Sequence, residues 1–228
     1  MLSFKNKSNL NHPLIFAHRG ASSHAFENTI EAFDKAIEMR CDGIELDIRK
    51  TKDNVLIVYH DPALKHPRRS IKKMRYKEIQ KRNDLSEYKI PTFEETCKHL
   101  AGKIALDIEL KETGYEQLVI ETALKYFSKE HLLFTSFKKK SLYSIKEIDD
   151  SLLCGYLISP KNRIYFKNID RFDYLLPHYS LCTKRFLDKL RKIGKPIIVW
   201  TLDNSERGYK LFEQGICGII TNDPQIYR

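Results

Sequence analysis

The sequence predicts an α/β chain folded as a compact (β/α)8 TIM barrel, with a small hairpin and insertion after its second strand. Three observations carry that prediction. Eight short β-rich apolar runs recur from end to end, and helical patterns stand between them. Several of the runs are almost continuously apolar, as parallel strands covered on both faces must be. The 228 residues suffice for one sizeable core, and no linker divides them, so a single domain over 1–228 is expected. An open doubly wound sheet is the rival, but no glycine-rich phosphate loop follows the first strand.

In chain order, "LIFA" (14–17) is the first strand. "NTIEAFDKAIEMR" then sets Ile30, Phe33, Ala36 and Ile37 on one helix face, with Asn28 or Thr29 as its N-cap. "DGIELDI" (42–48) is the second strand. "TKDNVLIVYHD" follows it directly and is itself strand-like, with Asp53-Asn54 as a turn. It predicts a hairpin-like extension that carries His60 back toward the second strand's C-terminal end. A short basic insertion over about 62–90 comes next. "KIALDIEL" (103–110), "HLLFTS" (131–136), "LLCGYLI" (152–158), "DYLLPH" (173–178), "PIIVWTL" (196–202) and "CGIIT" (217–221) complete the eight strands. The helices among them are "YEQLVIETALKYF", "KKKSLYSIKEI", "TKRFLDKLRKI" and "NSERGYKLFEQG", the last stopped by Gly215.

Composition narrows the class. At 42% hydrophobic residues the chain is ordinary globular protein. No apolar run approaches the ~20 residues of a spanning helix. The polar start "MLSFKNKSNLNHP" lacks the apolar stretch of a secretory signal, so a cytoplasmic location is expected. The five cysteines (Cys41, Cys97, Cys154, Cys182, Cys217) are scattered and form no Cys-x-x-Cys. That fits buried thiols in a reducing compartment better than a disulfide framework or a zinc site. The net charge of +10 is local: residues 65–82, "KHPRRSIKKMRYKEIQKR", hold nine Lys/Arg and one acid, or +8 of the total. Such a patch either meets an anionic surface or is a solvated face, with Ile71, Met74 and Ile79 turned inward. No nucleic-acid partner is expected, since no recognition motif or aromatic-interleaved basic stretch accompanies the charge.

Barrel enzymes carry their chemistry at the C-terminal ends of the strands. Strand one ends in His18-Arg19-Gly20. Strand two ends with Glu45 and Asp47, which share a side because strand side chains repeat every two residues. By the same rule Asp107, Glu109 and Lys111 share a side at the end of strand three. His60-Asp61 closes the hairpin. Trp200, the only tryptophan, ends strand seven, and with Phe137 it is a candidate substrate wall or else core. Taken singly, each histidine has a structural reading, the acids can pair with Arg49 or Lys50, and Lys111 can be a surface lysine. Taken together, three carboxylates aimed into one mouth repel unless a cation sits among them. Oxygen-only ligands suit Mg²⁺ or Ca²⁺. Arg19 and Lys111 are groups that grip a phosphate, and two histidines offer an acid and a base.

These residues resemble the glycerophosphodiester phosphodiesterase family over nearly the whole chain. The resemblance rests first on "AHRGASSHAFENTIEAFDKAIEMRCDGIELDIRKTKDNVLIVYHD", then on "IPTFEE", "LDIELK", "VWTLDN" and "GICGIITNDP". It implies a TIM-barrel hydrolase of glycerophosphodiesters that depends on a divalent cation, Mg²⁺ or Ca²⁺. By position it implies His18 and His60 as the acid–base pair, Arg19 and Lys111 as phosphate-binding groups, and Glu45, Asp47 and Glu109 as metal ligands. It also implies attack on phosphorus by the substrate's own glycerol hydroxyl, giving a cyclic phosphate that water opens to glycerol 3-phosphate. The sequence departs from the family pattern in the basic "PALKHPRRS" after His60-Asp61, in Asp203 where Asn is common, in Asn222 where Asp is common, and in Cys217 where Asp is usual. Two alternatives stay open: a lysophospholipase D-type activity at a membrane surface, reached through residues 65–82, and a phosphodiester-binding barrel without turnover.

Overall fold

The computed structural model describes residues 1–5, 11–65, 68–83, 86–161 and 168–227. Strand β1 (Leu14–His18) is followed by helix α1 (Ile30–Glu38), β2 (Gly43–Lys50) and β3 (Leu56–Val58). An insertion holds the two-residue strands β4 (Ala63–Leu64) and β5 (Arg69–Ser70) and helix α2 (Tyr76–Asn83), and α3 (Phe93–Leu100) leads back to the barrel. Then come β6 (Ala105–Leu110), α4 (Glu116–Leu124), β7 (Leu132–Ser136), α5 (Lys139–Ile148), β8 (Leu153–Ile158) and β9 (Tyr174–Pro177). The chain ends with α6 (Lys184–Arg191), β10 (Ile198–Val199), α7 (Ser205–Glu213) and β11 (Gly218–Thr221).

Eight strands pair in the order β10-β11-β1-β2-β6-β7-β8-β9, every neighbouring pair parallel. Isolated parallel bridges, Leu175 to Ile197 and His178 to Trp200, bring the two ends together in a nearly closed barrel. All eight predicted strands are present. The run at 196–202 yields only two strand residues, since Pro196 brings no N–H and its neighbour β9 ends in Pro177. The predicted hairpin is β3, antiparallel on β2 with Ile48 opposite Val58. Asn54 takes the left-handed conformation its turn needs, at φ 62°.

Strand parity divides the core in two. Ile15, Ala17, Ile44, Leu46, Ile48, Leu106 and Ile108 face the surrounding helices. Leu14, Phe16, Ala105, Leu133, Tyr174, Leu176, Ile198 and Ile220 fill the interior, where Phe4 from the N-terminal segment joins them and stacks on Phe16 at 5.7 Å. Gly43 is required there, because a Cβ at that position would stand 2.5 Å from the Phe16 ring. Since Leu14 and Phe16 point inward, so does His18. The same parity aims Glu45, Asp47, Asp107 and Glu109 inward.

The helices start where side chains can cap them. Thr29, and not Asn28, caps α1 by accepting from the Ala32 N–H at 3.2 Å. Thr183 and Asn204 cap α6 and α7, and Gly215 takes φ 89° just past α7, the stop its position predicts. Helices α2 and α3 go beyond the sequence reading. The second is fixed by a capping box in which Thr92 and Glu95 exchange bonds. In the basic segment Ile71, Met74 and Ile79 are buried as expected, in a small separate core with Ile57, Tyr59, Leu64 and Ile90. His66 and Pro67 of that segment lie outside the described residues. None of the five cysteines forms a disulfide. No helix among the described residues is long and apolar enough to cross a membrane.

Candidate active site

Register brings the acids to one place. His18 pairs with Glu45 across β1 and β2, and Asp47 pairs with Glu109 across β2 and β6. One carboxylate oxygen each from Glu45, Asp47 and Glu109 lie within 4.8 Å of one another, and all three residues are buried. The Lys111 ammonium stands 2.6 Å from Glu109 Oε1 and 3.1 Å from Asp47 Oδ1. Lys111 thus sets one ammonium between two of the three carboxylates.

Arg19 adopts a left-handed backbone at φ 57°. That turn lets its N–H donate to Glu45 Oε2 at 3.0 Å while its guanidinium donates to Glu27 at 2.8 Å and lies 3.2 Å from Asp47 Oδ2. Asn28, also left-handed at φ 59°, donates its amide to Asp47 Oδ2 at 2.8 Å. The short ENT stretch thus serves the acid cluster through Glu27 and Asn28 and the helix through Thr29.

Charge at the cluster is lopsided. Burial works against ionising Asp47, but Lys111 and Arg19 overcome it and hold the carboxyl down at about 2. Burial raises Glu45 well above the carboxylate range, and repulsion from Asp47 and Glu109 adds to it. Burial likewise lifts Glu109 to about 7 against the pull of Lys111. Two fixed cations therefore support one full carboxylate charge well and leave two strained. An all-oxygen donor set within 4.8 Å and unspent negative charge fit a divalent cation held by Glu45, Asp47 and Glu109. Asp107 lies opposite Glu45 on β6, where burial pushes it up to about 8 and Thr135 donates to it at 2.6 Å. It falls outside the cluster of three.

The histidines flank these acids. His18 Nδ1 lies 2.6 Å from Asn222 Oδ1, and burial, then Arg19, lower its pKa to about 4. His60 Nδ1 lies 2.8 Å from Asp61 Oδ1, and Arg49 donates to the His60 carbonyl at 2.8 Å. Burial lowers His60 also, opposed by Asp47 and Asp61. Trp200 and Phe137 meet edge to face at 5.3 Å, with Lys111 6.0 Å from the Phe137 ring. Both aromatics are half-buried. Every site residue expected from sequence thus reaches the same rim. The sequence assigns no role to the supports Glu27, Asn28, Asp61, Asp203 and Asn222, although Asp61 stands beside His60 and Asp203 and Asn222 depart from the family pattern. Asn28 was legible only as a helix cap.

A buried carboxylate cluster with two cations at the carboxyl rim of a parallel barrel marks the class of barrel enzymes whose chemistry sits at the strand ends. Comparison with known proteins narrows that class. The model of the glycerophosphoryl diester phosphodiesterase family matches residues 18–226. The chain belongs to that family. It is 30% identical to the glycerophosphodiester phosphodiesterase of Caldanaerobacter subterraneus over 93% of this chain and 95% of that one. A crystal structure of the glycerophosphodiester phosphodiesterase from Thermotoga maritima superposes with a TM-score of 0.80 at 31% identity, covering 96% and 98% of the two chains. A phosphodiesterase of Oleispira antarctica, solved with the product sn-glycerol-3-phosphate, shares the fold at a TM-score of 0.82 and 23% identity, covering 95% of each chain.

Proposed function

We propose that this enzyme cleaves glycerophosphodiesters to glycerol 3-phosphate and an alcohol, with a divalent cation and two histidines. The observation that carries the reading is the buried trio Glu45, Asp47 and Glu109, within 4.8 Å of one another and short of positive charge. A relative of the same fold was solved with glycerol 3-phosphate as product, which supports the same product here. A cation held by the trio supplies neutralisation of the carboxylates and polarisation of a phosphoryl oxygen. Arg19 and Lys111 bind and orient the phosphate, presenting planar and point donors to its oxygens. His18, uncharged at neutral pH, accepts at Nε2 the proton of the attacking glycerol hydroxyl. His60, in the imidazolium form that Asp47 and its bond to Asp61 favour, gives a proton to the head-group oxygen as its bond to phosphorus breaks. Water then opens the cyclic phosphate with the two roles reversed.

The test is glycerol 3-phosphate release from glycerophosphocholine, glycerophosphoethanolamine and glycerophosphoglycerol, with Mg²⁺, with Ca²⁺ and with EDTA. Release that needs a cation and stops in EDTA is expected. Absence of release from all three diesters with either cation overturns the reading in favour of a binding barrel.

A second substrate range is favoured by the basic insertion. Lys72, Lys73, Arg75, Lys77 and Lys81 are exposed while the apolar residues between them are buried, so the segment turns a cationic face outward. Each such cation near an anionic membrane contributes about 1 kcal/mol of attraction. Binding to phosphatidylserine vesicles that vanishes in high salt, and is lost in K72E/K73E/K77E, is the expected result. Absence of binding at low salt rules out a lipid surface as the place of action.

A further inference from the structure

The polarity of one hydrogen-bond chain fixes which nitrogen of His18 carries a proton. Asp203 stands just past β10, Asn222 just past β11 and His18 at the end of β1, so the chain crosses three adjoining strand ends. Asn222 Nδ2 donates to Asp203 Oδ2 at 2.6 Å. The other Asp203 oxygen accepts from the Asn222 backbone N–H and from Thr221 Oγ1, both at 2.8 Å. A carboxylate only accepts, so the amide edge facing it must be the NH₂. Asn222 Oδ1 is thereby turned the other way, where Ser22 Oγ donates to it at 3.1 Å and His18 Nδ1 lies 2.6 Å from it. An amide oxygen offers no proton. Nδ1 therefore holds the hydrogen, and Nε2 presents its lone pair toward the mouth, 3.9 Å from Glu45 Oε2.

We infer that Asp203, which reaches the ring only through Asn222, is a positioning residue that selects the Nδ1–H tautomer of His18 by holding the Asn222 amide in one of its two orientations. Asn and Gln amides otherwise flip between nearly isosteric poses, and only the neighbours decide between them. Without the Asp203 carboxylate, Asn222 can turn its NH₂ toward the ring, a pose that requires the lone pair on Nδ1 and moves the hydrogen to Nε2. The nitrogen that serves as base would then be blocked. The catalytic consequence rests on the role proposed above for His18. The tautomer itself does not.

The experiment reads the tautomer directly, by ¹⁵N–¹H correlation spectra of the histidine rings in substrate-free protein, with His18 assigned through His18→Gln. The wild type is expected to show a protonated Nδ1 and an unprotonated Nε2. D203N is expected to lose that pattern, with kcat down roughly 10- to 100-fold and KM within about 3-fold. The exchanged pair D203N/N222D is expected to regain both the Nδ1–H pattern and most of kcat, because a carboxylate at 222 can only accept from the ring. A wild-type His18 carrying its hydrogen on Nε2 overturns the inference with no variant needed. So does a folded D203N that keeps the wild-type pattern and rate. If the tautomer follows Asp203 but no diester is turned over by the wild type, the hydrolytic reading falls and the tautomer control stands.

Discussion

His18→Ala is expected to lower kcat by roughly 10²–10⁴-fold, the span that positioned acid–base groups contribute. The side chain has no large structural duty that would confuse the result. Its ring is held by one bond to Asn222 and lies beside Glu45, and Asn222 keeps its bonds to Asp203 and Ser22 when the ring is gone. Thermal stability should therefore stay within a few degrees of wild type, and cation binding should be retained, because none of the three carboxylates is touched. Steady-state glycerol 3-phosphate release, with calorimetry on the same samples, checks both halves. A variant within tenfold of wild type would remove His18 from the chemistry.

Addition of Mg²⁺ or Ca²⁺ is expected to stabilise the folded enzyme, and more so at pH 8 than at pH 5. The sign follows from the carboxylates. Glu45 and Glu109 are raised in the native state, Glu109 to about 7 from its model-compound value of 4.5. In that window the native chain binds more protons than the unfolded one. The Glu109 contribution to metal-free stability accordingly falls as pH climbs from about 4.5 to 7, and Asp107, raised to about 8, extends the fall toward pH 8. A cation removes the cause of that fall and competes with protons for the same oxygens. At a hundred times its Kd it adds about 2.7 kcal/mol, or ~5–10 °C in Tm for a chain of this size. Scanning calorimetry at the two pH values measures the shift, and Glu109→Gln should reduce it several-fold. An unchanged midpoint at pH 8 in millimolar cation would count against the trio as a metal site.

The barrel was legible because burial on both faces writes itself into a strand as a continuous apolar run. "KIALDIEL" is such a run, and the acids that interrupt it mark the rim. Parity alone turns Glu45, Asp47 and Glu109 to one side, and the three carboxylates lie within 4.8 Å of one another. Helix α3 carries a sequence signal of another kind, the Thr92-x-x-Glu95 spacing of a capping box, which apolar periodicity does not register. What escaped had no local signature. Phe4 is one aromatic residue in a polar stretch, and only the barrel interior gives it a place, against Phe16 and Tyr174. Asp203 and Asn222 stood out singly as two departures from a familiar pattern, 19 residues apart. They are a reciprocal exchange, acid for amide and amide for acid, between groups that face each other across neighbouring loops. A hydrogen bond between strand ends leaves no period in the sequence.

The insertion's private core has a consequence for how such an enzyme changes over generations. Leu64, Ile71, Met74, Ile79 and Ile90 pack on Ile57 and Tyr59 of the hairpin, apart from the cores that hold the barrel together. Mutations there can accumulate, and whole stretches can be exchanged, while the parallel sheet and its acid cluster keep their geometry. His60 sits at the joint, its carbonyl tied to Arg49 of the barrel and its ring to Asp61 at the insertion's threshold. Drift inside the small core is buffered from the barrel, while the joints at His60, at Lys52 N–H to the Met74 carbonyl and at Asp53 to the Tyr76 N–H fix where the insertion sits.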